Sequence, residues 1–118
     1  MANTDHLKTG QAGEEIAARL LQSKGYEILT KNYTFGKAEV DLIVKKDGWL
    51  VFVEVRARSS ADYGNPEQTI SKAKIQLLKK AADAYIYKIN WNSNVRFDIV
   101  AIVFSKPIDI QHFEDAFF

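Results

Sequence analysis

Glu39-Val-Asp-Leu-Ile-Val-Lys-Lys46, then Asp47-Gly48, then Trp49-Leu-Val-Phe-Val-Glu-Val-Arg56: two β-rich runs joined by an Asp-Gly pair predict a β-hairpin. A two-residue loop at Asp47-Gly48 sets Lys46 opposite Trp49. Counting outward, Asp41 then lies opposite Glu54 and Glu39 opposite Arg56. Alternation puts Glu39, Asp41 and Ile43 on one strand face and Phe52, Glu54 and Arg56 on the other strand's matching face, so the four charged side chains share one side of the sheet. Like charges directly opposite each other destabilise a ladder by roughly 0.2–1 kcal/mol, and more when desolvated. With apolar Leu42, Val51, Val53 and Val55 around them, Asp41 and Glu54 call for a cation. A hard divalent ion takes carboxylate oxygens and keeps waters for chemistry. Spacing alone supports equally well an exposed face on which Glu39 and Arg56 form an ordinary cross-strand ion pair, and a one-residue slip would move Glu54 to the other face.

Outward from the hairpin, the chain reads helix, strand, hairpin, helix, strand, tail. Ile16, Ala17, Leu20 and Leu21 recur at helical spacing in a first helix from about Asp5 to Lys24, stopped by Gly25. Tyr26 to Tyr33 reads as a strand. Ser59 to Pro66 is a polar loop punctuated by Gly64 and Pro66. A second helix follows from about Thr69 to Tyr87, with an apolar stripe of Ile70, Leu77, Leu78, Ala81 and Tyr85. Val95 to Phe104 is a further strand, and after Pro107 an apolar tail from Ile108 to Phe118 is expected to pack back on the domain or on a partner.

The 118 residues fit one domain, and 47% hydrophobic residues are enough for a core without staples. Cysteine is absent, which excludes thiolate catalysis, Cys-ligated zinc and a disulfide framework, and is compatible with a reducing cytoplasm. The N-terminus lacks the pattern of a signal peptide, and no apolar run approaches the ~20 residues needed to span a bilayer. A net charge of +1 is neutral on nucleic acid, so any such contact must come from a local patch.

Other charged residues stand in unusual places. Glu15 has Arg19 four residues on, a conventional surface pair. Glu14 instead shares its face with Gly10, Ala17, Ala18 and Leu21. From there it could reach the sheet face holding Asp41, or simply favour the helix N-terminus. Gly10 and Gly13, each ~1 kcal/mol worse than alanine in a helix, suggest close approach to another backbone. Lys74 falls within the apolar stripe of the second helix and could snorkel outward or aim at the acidic cluster or a phosphate. Asp98 shares a face with Val100 and Ile102 and is expected to form a structural pair with Arg56 or Arg58. His6 and His112 stand isolated and carry no expected role, and Trp49 reads as a packing residue.

Gly10-Gln-Ala-Gly13-Glu14, Ala38-Glu39-Val40-Asp41-Leu42-Ile43, Val51-Phe52-Val53-Glu54-Val55-Arg56-Ala57-Arg58, Tyr63-Gly64-Asn65-Pro66, Lys74 and Arg96-Phe97-Asp98 together resemble the YraN-like family of small bacterial proteins. That family is placed with the PD-(D/E)XK nucleases and is similar to archaeal Holliday-junction resolvases. The resemblance covers nearly the whole chain. It implies an α/β fold of αβββαβ type with a restriction-endonuclease-like core: a central mixed sheet flanked by helices. It also implies Mg²⁺ or Mn²⁺ held by Asp41 and Glu54, with Glu14 as a helix-borne acid and Glu39 as the acidic position beside the aspartate. One departure stands out. The signature ends Glu-X-Lys, and here it reads Glu54-Val55-Arg56. An arginine, with a pKa above ~12, cannot serve as a general base, although it can hold a phosphate or a hydroxide.

These residues favour a metal-dependent endonuclease acting on DNA, with branched or structured DNA as one substrate form. Asp41 and Glu54 would hold the metal, and Arg56, Glu39, Glu14 and Lys74 would complete the catalytic group. Arg58, Lys72, Lys79 and Lys80 are the candidate phosphate contacts. A homodimer is one expected arrangement, because a small nuclease domain needs two sites to cut two strands. Two other readings remain open: a non-catalytic nucleic-acid-binding module on the same fold, and a protein-interaction module using the apolar tail at Phe113, Phe117 and Phe118.

Overall fold

A computed structural model describes residues 2–59 and 70–117. Its elements run α1 (Ala2–Ser23), β1 (Glu27–Phe35), β2 (Ala38–Lys46), β3 (Trp49–Arg58), α2 (Lys72–Ile89), β4 (Asn94–Val103) and β5 (Asp109–Phe113). The loop motif Tyr63-Gly64-Asn65-Pro66 and the last residue, Phe118, lie outside the described residues, as does the side chain of His6. The strands form one mixed sheet in the order β1-β2-β3-β4-β5. Pairing is antiparallel except between β3 and β4, where α2 supplies the crossover that parallel neighbours require. The result is a single α/β domain consistent with a restriction-endonuclease-like core. The tail is more ordered than its composition suggested: Asp109–Phe113 extends the sheet as β5, and Phe117 packs on the Phe97 ring at 5.7 Å.

The hairpin forms as its turn dictates. Asp47 and Gly48 both adopt positive φ, 51° and 83°, and Lys46 pairs with Trp49. This conformation matches the natural twist of a hairpin, and an Asp-Gly pair reaches it at low cost. Helix α1 ends where Gly25, at φ 95°, lets the Tyr26 amide donate to Leu21 O and its own amide donate to Gln22 O, which satisfies two terminal carbonyls. Helix α2 starts on Ser71, whose hydroxyl accepts the Lys74 amide at 3.1 Å, and stops on Asn90 at φ 56°.

Each helix covers one face of the sheet. Ala17, Ala18 and Leu21 of α1 pack on Leu42, Val44, Val51, Val53, Val100 and Ile102. Leu78, Ala81, Ala82 and Tyr85 of α2 pack on Val40, Ile43, Leu50 and Phe52. Leu77, expected in that stripe, lies at its edge and is 37% exposed; Ala82 takes the inward place. Burial on both faces explains why Leu50 to Val53 reads as a continuous apolar run rather than an alternating one. Gly13 fits its expected role: a Cβ there would come within 2.7 Å of Ala57 Cβ on β3. Gly10 does not, since nothing lies within 4 Å of a Cβ built on it. The α1 helix presses on the sheet at Gly13, and Gly10 stands over a cleft.

Candidate metal centre

Val40 belongs to the α2-side core and Leu42 to the α1-side core, although they are two residues apart. Strict alternation would put them on one face, so the alternation of β2 breaks at Asp41 while its register with β1 is kept. The described ladder with β3 ends at Leu42↔Val53. Just beyond it the Val55 amide donates to Asp41 Oδ2 at 2.8 Å. The expected arrangement of Glu39, Asp41 and Ile43 on one face, with Glu39 squarely opposite Arg56, is therefore corrected. Ile43 packs under α2, while exposed Glu39 sits past the break in alternation with its carboxylate near that of Glu14. The physical cause is the side-chain to backbone bond of Asp41, which replaces a ladder bond.

The approach of Asp41 to Glu54 survives this change. The two carboxyl groups hydrogen-bond to each other. Burial first, then that hydrogen bond and the charge of Glu54, push Asp41 up to about 7 against the pull of the Val55 amide and Lys74. Glu54 itself is 5% exposed. Lys74 Nζ comes within 3.0 Å of Glu54 Oε2, close enough for charge pairing. It does not lie along a hydrogen-bonding direction, so Oε2 is a buried oxygen with no hydrogen bond. Lys74 thus aims its ammonium at the acids rather than outward.

Asp41, Glu54 and Lys74 form the common wall of two adjoining hollows. One, of about 340 Å³, is also lined by Gly10, Glu14, Arg56 and Arg58. The other, of about 480 Å³, is lined by Lys37, Glu39, Ser71 and Leu77. Burial raises the carboxyl of Glu14, and the charges of Asp41 and Glu39 add to that. Of the four candidate phosphate contacts, Arg58 lines the cleft. Lys72, Lys79 and Lys80 lie exposed on α2 and do not line it.

The donor set suits a magnesium-type ion. Among the described residues no group of three or more His, Cys, Asp or Glu side chains is placed to hold a metal ion. Mg²⁺ does not need one: it is bound by one or two carboxylates and keeps waters and substrate oxygens. A buried carboxylate beside a second acid, balanced by one lysine, is a pair that such an ion would complete.

Two residues escaped the reading of the sequence. Asn32, in β1, adopts φ 52°. With its amide turned so that the NH₂ group faces the acids, it donates to Glu14 Oε1 at 2.6 Å and to Glu39 Oε1 at 3.3 Å. An asparagine in mid-strand, one of the few residues at ease in the left-handed region, was the available signal. His112 is not isolated. Its Nε2 donates to Asp98 Oδ2 at 2.7 Å, and its Nδ1 accepts from Lys24 Nζ at 2.8 Å. Asp98, fully buried, also receives Arg96 Nε and Nη2, both at 2.8 Å, and the Asp115 amide at 3.1 Å. Burial alone would raise its carboxyl, but the bonds from His112, Arg96 and Asp115 outweigh it and hold the group below its ordinary value. Asp98 is a structural ion pair as expected, with Arg96 in place of Arg56 or Arg58 and His112 as a hydrogen-bond donor beside it. The pairing of β5 with β4 creates it, by setting His112 opposite Val100.

The model of the Uncharacterised protein family UPF0102 matches residues 13–102. A UPF0102 protein of Flavobacterium psychrophilum is 46% identical over 115 residues, 97% of each chain. Another, from Natranaerobius thermophilus, is 41% identical over 92% of this chain and 95% of its own. A third, from Thermodesulfovibrio yellowstonii, is 40% identical over 95% of this chain and 97% of its own.

Proposed function

The chain belongs to the UPF0102 family, and from that premise we propose that it is a metal-dependent phosphodiesterase of the PD-(D/E)XK type acting on DNA, with branched or structured DNA as its substrate form. The observation that carries this reading is the meeting of Asp41 with the buried carboxylate of Glu54, whose Oε2 is held by the Lys74 ammonium alone, at the mouth of a cleft edged by Arg56, Arg58 and Lys74. Asp41 and Glu54 would hold Mg²⁺ or Mn²⁺. When bound, such an ion neutralises charge on a phosphoryl group and acidifies a coordinated water.

The chain's own residues do the rest. The Val55 amide fixes Asp41 through its Oδ2 at the wall of the cleft. Arg56 cannot take a proton, so its part is to hold phosphate oxygens and developing charge by a planar array of donors. Lys74 supplies the second charge and can turn from Glu54 to a phosphate. Glu14 and Glu39 extend the acidic side of the cleft. Among the described residues no helix is long and apolar enough to cross a membrane.

The non-catalytic nucleic-acid-binding reading draws on Arg56, since the lysine of the signature is missing. The interaction reading loses support where Phe117 is engaged by its own domain. The test is calorimetric binding of Mg²⁺ and Mn²⁺ by wild type, Asp41→Ala and Glu54→Ala, with cleavage of linear and branched DNA in parallel. Binding abolished by either substitution, together with cleavage, is expected. Metal and DNA binding without cleavage would leave the non-catalytic module. No metal binding even with DNA present would overturn the site.

A further inference from the structure

Asn32 lies across the ladder from Asp41, because Lys31 pairs with Leu42 and Tyr33 with Val40. Its left-handed backbone and the break in β2's alternation at Asp41 are two halves of one irregularity. Most side chains are strained at φ 52°, whereas asparagine and glycine are not. Glycine would serve the backbone as well, so the presence of an amide here needs a further reason. That reason is visible in its contacts: one NH₂ group spans Glu14 Oε1 on α1 and Glu39 Oε1 on β2, at 2.6 and 3.3 Å. These two acids come from different elements and repel each other and Asp41. Helix α1 presses on β3 at Gly13, the residue before Glu14, so Glu14 is brought to the sheet at a fixed height. A neutral double donor is the group that can join two carboxylates without cancelling the negative field that attracts a cation.

We propose that Asn32 is a positioning residue for the metal centre: its amide ties Glu14 to Glu39 beside Asp41, and cation affinity depends on that tie. This inference rests on the metal-site reading above.

The test compares Mn²⁺ affinity, read by electron paramagnetic resonance, in wild type, Asn32→Gly, Glu39→Gln and the double variant, with thermal melts of each metal-free protein. Asn32→Gly keeps the left-handed backbone and removes only the amide. It is expected to melt close to wild type and to bind Mn²⁺ about tenfold more weakly, the loss of a hydrogen bond to a charged group. In the Glu39→Gln background the same substitution should cost clearly less, since the repulsion that the amide offsets is gone. A second readout needs no variant to fold: the Asn32 side-chain amide resonances of wild type should move as Mg²⁺ is added. Unchanged Mn²⁺ affinity in Asn32→Gly, an equal loss in both backgrounds, or amide resonances unmoved at saturating Mg²⁺ overturns the role of Asn32 and leaves the site standing. Failure of wild type to bind Mn²⁺ at all overturns both.

Discussion

Replacing Asp41 by asparagine should stabilise the metal-free protein at neutral pH while abolishing metal binding. The wild-type carboxyl moves from an ordinary 3.8 to about 7 on folding, through burial first and Glu54 second. A carboxyl raised in this way imposes no cost below pH 3.8, where it is protonated folded or unfolded. The cost grows as pH climbs from 3.8 to 7 and is complete above 7. The shift of about 3 units, at ~1.4 kcal/mol each, sets a ceiling of ~4 kcal/mol. Asp41 is only partly buried at the cleft and solvent screens its charge, so about half, ~2 kcal/mol, is the working figure. Asparagine has the same shape, its carbonyl can accept the Val55 amide, and its NH₂ can donate to Glu54. For a domain of this size ~2 kcal/mol is ~8 °C in Tm. Melts in chelator from pH 4 to 8.5 should show the Asp41→Asn advantage opening between pH 4 and 7 and staying flat above. Saturating Mg²⁺ should then raise the wild type and leave the variant unmoved. An advantage absent at pH 8, or as large at pH 4 as at pH 8, would refute this account of the acid pair.

Asp98→Asn removes the charge from beneath Arg96, whose side chain is 15% exposed, and should cost ~3–5 kcal/mol at pH 7 as a broken buried pair. Because the wild-type carboxyl is held below its ordinary 3.8, its stabilisation is present above that pH and fades as pH falls beneath it. Denaturant midpoints of the two proteins should therefore converge in acid. The two helix glycines should part company: Gly13→Ala meets Ala57 Cβ at 2.7 Å and should lose ~1–3 kcal/mol, whereas Gly10→Ala meets nothing and should gain up to ~1 kcal/mol. Denaturant melts of both variants check this.

Local physics was legible in the sequence. The Asp47-Gly48 turn fixed the register from Lys46↔Trp49 to Leu42↔Val53, because a two-residue loop at positive φ permits no other. Counting along that register is enough to bring Asp41 to Glu54. The helix stripes placed α1 and α2, and Lys74 on the inward side of α2, because burial follows a period of 3.6 residues. What alternation could not reveal was its own failure at Asp41. A backbone amide outside the ladder captures that carboxylate, and Asn32 turns left-handed across from it. Both depend on contacts between strands that no single strand's pattern encodes. The tail shows the same division: its apolar residues signalled docking, but only pairing with β4 made Asp109–Phe113 a strand and carried His112 to Asp98. Turns and helices are set by neighbours in the chain. The acid cluster's shape and the Asp98 network are set by contacts between different elements, such as Asp41 with Val55 and Asp98 with His112, and only the folded sheet brings them within hydrogen-bonding distance.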